Sequence, residues 1–434
     1  MSVDRNSGLW NPQEETLTKE EKRQRDEKNL AWIFKHAYHN SPFYHERYRK
    51  AGLTPDDVKT LEDIKKIPLL RKPKLQEAQK KNPPFGNNLT VPVNKLSEIF
   101  ISPGPIFEGV MAEEAEAMLN ARCKAFYSCG VRPGDIVVNT FMYHMVPAGL
   151  NIHLGFRRLG CTVVPTGVGQ TAYQAIIMRD LGVTVFTGTP SFLAMIGEEA
   201  KKGGIDPRED LKLELGIFSA EPLPDNLRNS LRDTFGMLAR QIFGTADLGT
   251  VAKECPEENG MHIEESMIME LIDPNTLEQV APGEEGEITC TMPHKLASPI
   301  IRFRTGDATI LSEDRCSCGR TSPKLMKILG RVDQLVKVKG MFVHPINIKG
   351  VIRKHPELGS YEAIVDRPKL SDVLIIRIEF EGTGESLPEE AEEAKIELEK
   401  EFKEAIRIKA VVELVQRGSL TETKEKIVDL RKME

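Results

Sequence analysis

Cys255, His262, Cys316 and Cys318 carry the most specific chemistry in this chain. Cys-x6-His followed far downstream by Cys-x-Cys brings three soft thiolates and one imidazole, a donor set suited to tetrahedral Zn2+. Four protein ligands leave no open coordination position, so such an ion would be structural. The Cys-x-Cys spacing is tighter than the usual Cys-x2-Cys, and spacing alone leaves ordinary thiols as the alternative. The other cysteines, Cys123, Cys129, Cys161 and Cys290, read as core thiols.

Carboxylates form a second group. Arg302-Phe303-Arg304-Thr305-Gly306-Asp307, followed by Gly330-Arg331-Val332-Asp333, places Asp307 after a glycine turn at the end of an apolar segment. That pose can grip two vicinal hydroxyls, and a surface turn with a salt bridge fits the same residues. Ser219-Ala220-Glu221-Pro222 and Phe243-Gly244-Thr245-Ala246-Asp247 each follow an apolar run, where the carboxyl ends of parallel strands bind ligands.

The elements that must position these groups follow from periodicity. Residues 1–80 predict a helical segment, with an amphipathic stretch over 20–38 and oxygen-bearing caps at Thr54 and Thr60. From about Asp135 apolar runs at 136–138, 162–165, 183–186 and 215–218 alternate with helix-length segments, which predicts β-α units and a largely parallel sheet. Runs at 267–270, 286–290 and 308–311 lie closer together and predict antiparallel strands beside it. The fold class expected is α/β: a large body over 1–330 and a small, mobile α+β lid domain over 331–434. In the latter, strands at 335–338, 361–365, 373–379 and 410–414 accompany a helix over 389–406.

With 29% charged residues and a net charge of -6 spread along the chain, neither nucleic acid nor an anionic membrane is favoured as a partner. No apolar run approaches the roughly 18 residues of a membrane span, and the first residues lack a signal peptide's apolar core, so a cytoplasmic protein is expected. Seven cysteines without regular spacing agree with a reducing compartment.

In their order these stretches resemble the phenylacetate-CoA ligase family of the adenylate-forming superfamily over essentially the whole chain. Asn40-Ser41-Pro42-Phe43-Tyr44, Gly52-Leu53-Thr54-Pro55-Asp56-Asp57 and Pro84-Phe85-Gly86 add to the match. The resemblance implies that Ala220, Glu221 and Pro222 line an adenine pocket with Phe243, Gly244 and Thr245 beside it, and that Asp307 holds the ribose. It implies Mg2+ near Asp247, a hinge at Asp333 next to Arg331, and a thiol channel for coenzyme A over 338–345, including Lys339 and Gly340. Phe243 replaces the family's tyrosine. In Gly418-Ser419-Leu420-Thr421-Glu422-Thr423-Lys424-Glu425-Lys426 the adenylation lysine aligns with Lys426, and Lys424 is its rival. Tyr143, His144 and Val146 align with the acid pocket, His144 being equally a helix-start residue. Zinc sites arranged like the Cys/His set occur in some relatives. The implied ligands are ATP or AMP, an acid, aryl in the family, and coenzyme A; a homodimer is left open.

One part of the pattern breaks. The family cradles ATP phosphates with a Ser/Thr/Gly-rich loop ending in lysine. Here the segment is Ile101-Ser102-Pro103-Gly104-Pro105-Ile106-Phe107-Glu108-Gly109, and only Ser102 and Gly104 survive. The prolines have no N-H, and Glu108 stands at the lysine position, where it is expected to repel polyphosphate. Three readings stay open: a ligase that holds ATP by other basic groups, a protein that handles AMP, acyl-adenylate or acyl-CoA without ATP-driven ligation, and an adenylyltransferase to a non-carboxylate acceptor.

Overall fold

Thr18 and Glu21 exchange side-chain and backbone hydrogen bonds as a capping box and start the helix Lys19–Asn40. Ser41 then caps the helix Pro42–Lys50, whose first residue is the proline that cannot continue the previous one. Thr60 starts the 3-10 helix Leu61–Lys66, whereas the expected helix start at Thr54 is only a turn, because Asp57 accepts from both the N-H and the hydroxyl of Thr54. The structure is a computed structural model describing residues 4–339, 341–368, 371–380, 390–420 and 427–431.

It divides into two compact units. The first comprises Met1–Glu270, Thr289–Thr305 and Ile310–Lys327, the second Leu271–Ile288, Gly306–Thr309 and Ile328–Glu434. The second thus takes in two short pieces from before residue 330. The strands Ile268–Ile272, Glu285–Met292, Ile300–Ser312 and Lys324–Arg331 each have residues in both.

In the first unit, the parallel strands Thr162–Val164, Ile136–Asn139, Val185–Gly188, Leu215–Phe218 and Leu238–Thr245 lie side by side in that order. Each is a short apolar run because helices cover both faces, leaving no side for polar residues. One face packs Phe186, Phe218 and Phe235 with Leu193 and Ile196, the other Phe126, Phe156 and Val137 with Leu215. Leu238–Thr245 then pairs antiparallel with Gly249–Glu254, which pairs with Met261–Ile263. The turn between the first two presents Asp247 at the carboxyl end of the parallel strands.

In the second unit, Ala410–Gln416, Val373–Phe380, Leu358–Asp366 and Val428–Asp429 form a four-stranded mixed sheet. The helix Glu390–Ile406 is fixed by Leu398, Phe402 and Ile406, which are spaced by one turn and packed into the same core as Ile376 and Val412. A two-stranded hairpin, Val336–Val338 with Met341–Val343, precedes the helix Pro345–Ile352. The fold class is the expected one, mixed α/β with a large sheet body and a smaller α+β domain. Among the described residues no helix is long and apolar enough to cross a membrane.

Candidate active site

The broken phosphate segment is a β-hairpin: Glu98–Ser102 pairs with Ile106–Val110, with Ser102 opposite Ile106, and residues 103–105 form the turn. Proline at both flanks and Gly104 at φ 138° suit a tight reversal better than a loop that wraps phosphates. The helix Lys72–Lys81 braces it. Gln76 donates to the Gly104 carbonyl at 2.6 Å, and Gln79 donates to the Phe107 carbonyl at 2.7 Å and accepts from its N-H at 2.9 Å.

Glu108 does not face outward as a bare repelling charge. Its carboxylate is ion-paired to the buried ammonium of Lys295, which also donates to the Asp247 carbonyl at 2.6 Å. Burial raises the Glu108 pKa and Lys295 opposes that shift. The expectation of a bare repelling charge is corrected to this extent: Glu108 has a partner cation in Lys295, a relation that no local pattern signals.

Asp247 is 15% exposed, and both its oxygens accept from the Lys72 ammonium, at 3.0 and 2.9 Å. Ser102 donates its hydroxyl to the same carboxylate at 2.8 Å. Ser102, Asp247 and Lys72 therefore form one cluster, of which the sequence reading contained only the first two. A signal for Lys72 existed. Pro73 marks a helix start, and a first turn holding lysines and no acid runs against the helix dipole unless an anion answers it.

Ala220 has φ 68°, a left-handed conformation that turns the chain sharply after Leu215–Phe218. Glu221 and Pro222 are exposed, and the Glu221 carboxylate accepts from the Ser191 hydroxyl at 2.9 Å at the start of the helix Pro190–Lys202. Phe243, Gly244 and Thr245 end their strand, and Thr245 accepts from the Leu248 N-H at 3.1 Å. A Cβ on Gly244 would come within 2.6 Å of the Gly249 carbonyl oxygen, so the turn holding Asp247 requires glycine.

Tyr143 accepts from Asn139 at 2.8 Å and shares a hydrogen bond with His153 Nδ1 at 3.1 Å. Burial raises the Tyr143 pKa and lowers that of His153, which favours the neutral forms of both. His144 is exposed and Val146 half-buried. His153, absent from the sequence reading, is the imidazole that bonds Tyr143.

In the second unit, Arg331 lies against Gly306 and is 3.3 Å from the Asp307 carboxylate. Asp333 is 75% exposed. Lys339 sits at φ 50° with its N-H on Asp372 at 3.1 Å. His344 caps the helix Pro345–Ile352. Gly340, Lys424 and Lys426 lie outside the described residues. The stretch leading to them is anchored by buried Glu379, which accepts from the N-H groups of Gly418 at 2.8 Å and Leu420 at 3.0 Å.

The Cys/His set converges in the first unit. The donor atoms of Cys255, His262, Cys316 and Cys318 all lie within 4.8 Å of one another. The Cys255 and Cys316 sulfurs are 3.7 Å apart; tetrahedral zinc with bonds of about 2.3 Å requires roughly 3.8 Å. His262 gives Nδ1 to the Ser322 carbonyl at 2.8 Å and turns Nε2 to the Cys318 sulfur at 3.4 Å, the orientation a metal ligand needs. A hydrogen bond from Cys255 pulls the Cys318 thiol pKa down. The donors fit zinc.

A family model described as AMP-binding enzyme matches residues 109–297, and one described as AMP-binding enzyme C-terminal domain matches residues 340–431. The phenylacetate-coenzyme A ligase of Pseudomonas putida is 34% identical, over 98% of this chain and 97% of its own. The chain belongs to the phenylacetate-coenzyme A ligase family of AMP-binding enzymes. A ligase of that name from Thermus thermophilus is 31% identical over 86% of this chain and 84% of its own. Among solved structures, an open conformation of 2-hydroxyisobutyryl-CoA ligase in complex with 2-HIB-AMP and CoA shares the fold. Its TM-score is 0.88 at 24% identity, over 99% of this chain and 97% of that one. The same ligase in the postadenylation state aligns with TM-score 0.78 at 25% identity, over 99% of this chain and 95% of that one. The segment expected to be the phosphate loop is the hairpin at 98–110, with Glu108 paired to Lys295.

Proposed function

We propose that this enzyme is an AMP-forming acid–coenzyme A ligase. A carboxylate oxygen attacks the α-phosphorus of ATP, giving acyl-adenylate and pyrophosphate; the thiol of coenzyme A then attacks the acyl carbon, giving the thioester, AMP and a proton. The observation that carries this reading is the full-length similarity to phenylacetate-coenzyme A ligases, with both family models in register.

The residue roles are proposals. Ala220, Glu221, Pro222, Phe243, Gly244 and Thr245 form the adenine side, and Asp307 with Arg331 takes the ribose. Asp247 is a hard oxygen donor fit for Mg2+, and the cation already seated on it agrees with that use. Bound there, the metal would neutralise phosphate charge. Lys426, with Lys424 as rival, supplies charge during adenylation; Asp333 is the hinge, and Lys339 and Gly340 border the thiol path. The acid is aryl, with Tyr143 and Val146 on its pocket and His144, which is exposed, at its rim. Zinc at Cys255, His262, Cys316 and Cys318 is structural, and the enzyme works in the cytoplasm as a monomer or homodimer.

The hairpin turn favours one second reading, in which AMP, acyl-adenylate or acyl-CoA binds without ATP-driven ligation. ATP–pyrophosphate exchange over a panel of aryl and short-chain acids separates the two. Acid-dependent exchange, lost in Lys426→Ala, supports ligation. Calorimetry showing AMP binding and no ATP binding defeats it.

A further inference from the structure

We propose that Lys72 is the phosphate-binding cation of this enzyme, standing in for the lysine that its hairpin lacks. The inference rests on the ATP-dependent reading above and names the group that makes it workable.

The hairpin itself offers polyphosphate little. Two of the three turn residues have no N-H, and the lysine position is an acid whose partner, Lys295, is 99% buried with its ammonium committed to Glu108 and the Asp247 carbonyl. Lys72 differs on each count. Its side chain is 29% exposed, so nucleotide can reach it. Its ammonium lies at the turn end of the hairpin, 3.3 Å from the Ser102 hydroxyl. A Cβ built on Gly104 would be 3.4 Å from Lys72 Cε, so the bare glycine leaves the lysine stem beside the turn.

The placement is built rather than incidental. Gln76 and Gln79 project from the same helix as Lys72, one and two turns on, and fasten that helix to Gly104 and Phe107. The short strand Leu70–Arg71, paired with Phe303 and Arg304, holds the helix start from the other side. The hairpin and the Lys72 helix thus move as one piece, and the cation keeps its station relative to Ser102 and Gly104.

The Lys72 ammonium is the counter-ion of Asp247. Magnesium held by that carboxylate would take up the oxygens Lys72 now bonds. The ammonium, a point charge on a flexible four-carbon stem, would then be free to bind phosphate. One lysine would so serve two anions: the Asp247 carboxylate it pairs with and a triphosphate it would help to balance. AMP, which lacks both outer phosphates, makes no such demand.

The test is calorimetry with magnesium-ATP and with AMP, together with ATP–pyrophosphate exchange, on the wild-type protein, Lys72→Met, Lys72→Arg and Lys74→Met. Lys74 lies on the same helix, is 62% exposed and pairs with Glu77, so its variant controls for surface charge. Lys72→Met is expected to weaken ATP by about 10- to 100-fold while AMP stays within about twofold, with part of the loss recovered in Lys72→Arg and none seen in Lys74→Met. Equal ATP affinity in wild type and Lys72→Met overturns the proposal while leaving the ligase reading intact. So does an equal loss of ATP and AMP, which marks a structural role. A wild-type protein that binds AMP and not ATP overturns the ligase reading and this inference together.

Discussion

Lys295 and Glu108 form a buried ion pair between segments 187 residues apart, and the same ammonium holds the backbone carbonyl of Asp247 at 2.6 Å. The acid at the lysine position of the phosphate segment is therefore part of the structure that sets the Asp247 turn. Its removal and the removal of its partner are not equivalent.

Lys295→Met strands a buried carboxylate and an unbonded carbonyl. Breaking a buried pair in this way costs about 3–5 kcal/mol. Denaturant unfolding should show that loss, with much of it recovered in Lys295→Met/Glu108→Gln, where no buried charge remains. A double variant no more stable than Lys295→Met would mean that the carbonyl bond, not the ion pair, dominates.

Glu114 is 2% exposed, and burial pushes its carboxyl up to about 7. Between its ordinary value of 4.5 and about 7 the folded chain keeps a proton that the unfolded chain has released, so its contribution to stability falls as pH rises through that window. The shift corresponds to ~3 kcal/mol. Unfolding midpoints at about pH 5 and about pH 8 should therefore diverge more in the wild type than in Glu114→Gln, where the titration is gone. Identical divergence in both proteins would place the titration elsewhere.

Zinc at the Cys/His cluster predicts one equivalent of metal in protein purified without chelator, read by elemental analysis. Cys318→Ser should lose the metal and lower the melting temperature. The wild type stripped by chelator should fall to the same temperature and recover on adding zinc, because a structural ion stabilises only the folded state. Metal-free protein with an unchanged melting temperature counts against the site.

Tyr143→Phe removes the hydroxyl that joins Asn139 to His153. On the proposed acid pocket, KM for an aryl acid should rise several-fold, about 1 kcal/mol for one neutral hydrogen bond, while KM for ATP stays unchanged. A matching rise in both would indicate a general distortion of the strand end at Asn139.

Residue order alone pointed to most of the elements and to the Cys/His set. The strand Leu215–Phe218 and the helix Glu390–Ile406 declare themselves because hydrophobic periodicity is a local property, and a fully buried parallel strand needs an unbroken apolar run. Cys255 with His262 and Cys316 with Cys318 were legible as two pairs of soft donors, and only the fold brings the two pairs together. Only tertiary structure could say what the altered phosphate segment does. Glu108 looks repulsive until Lys295 is folded against it, and Lys72 looks like scaffold until Asp247, 175 residues away, meets it. Charge compensation depends on distance in space, and a salt bridge between remote segments leaves no period or motif in either of them.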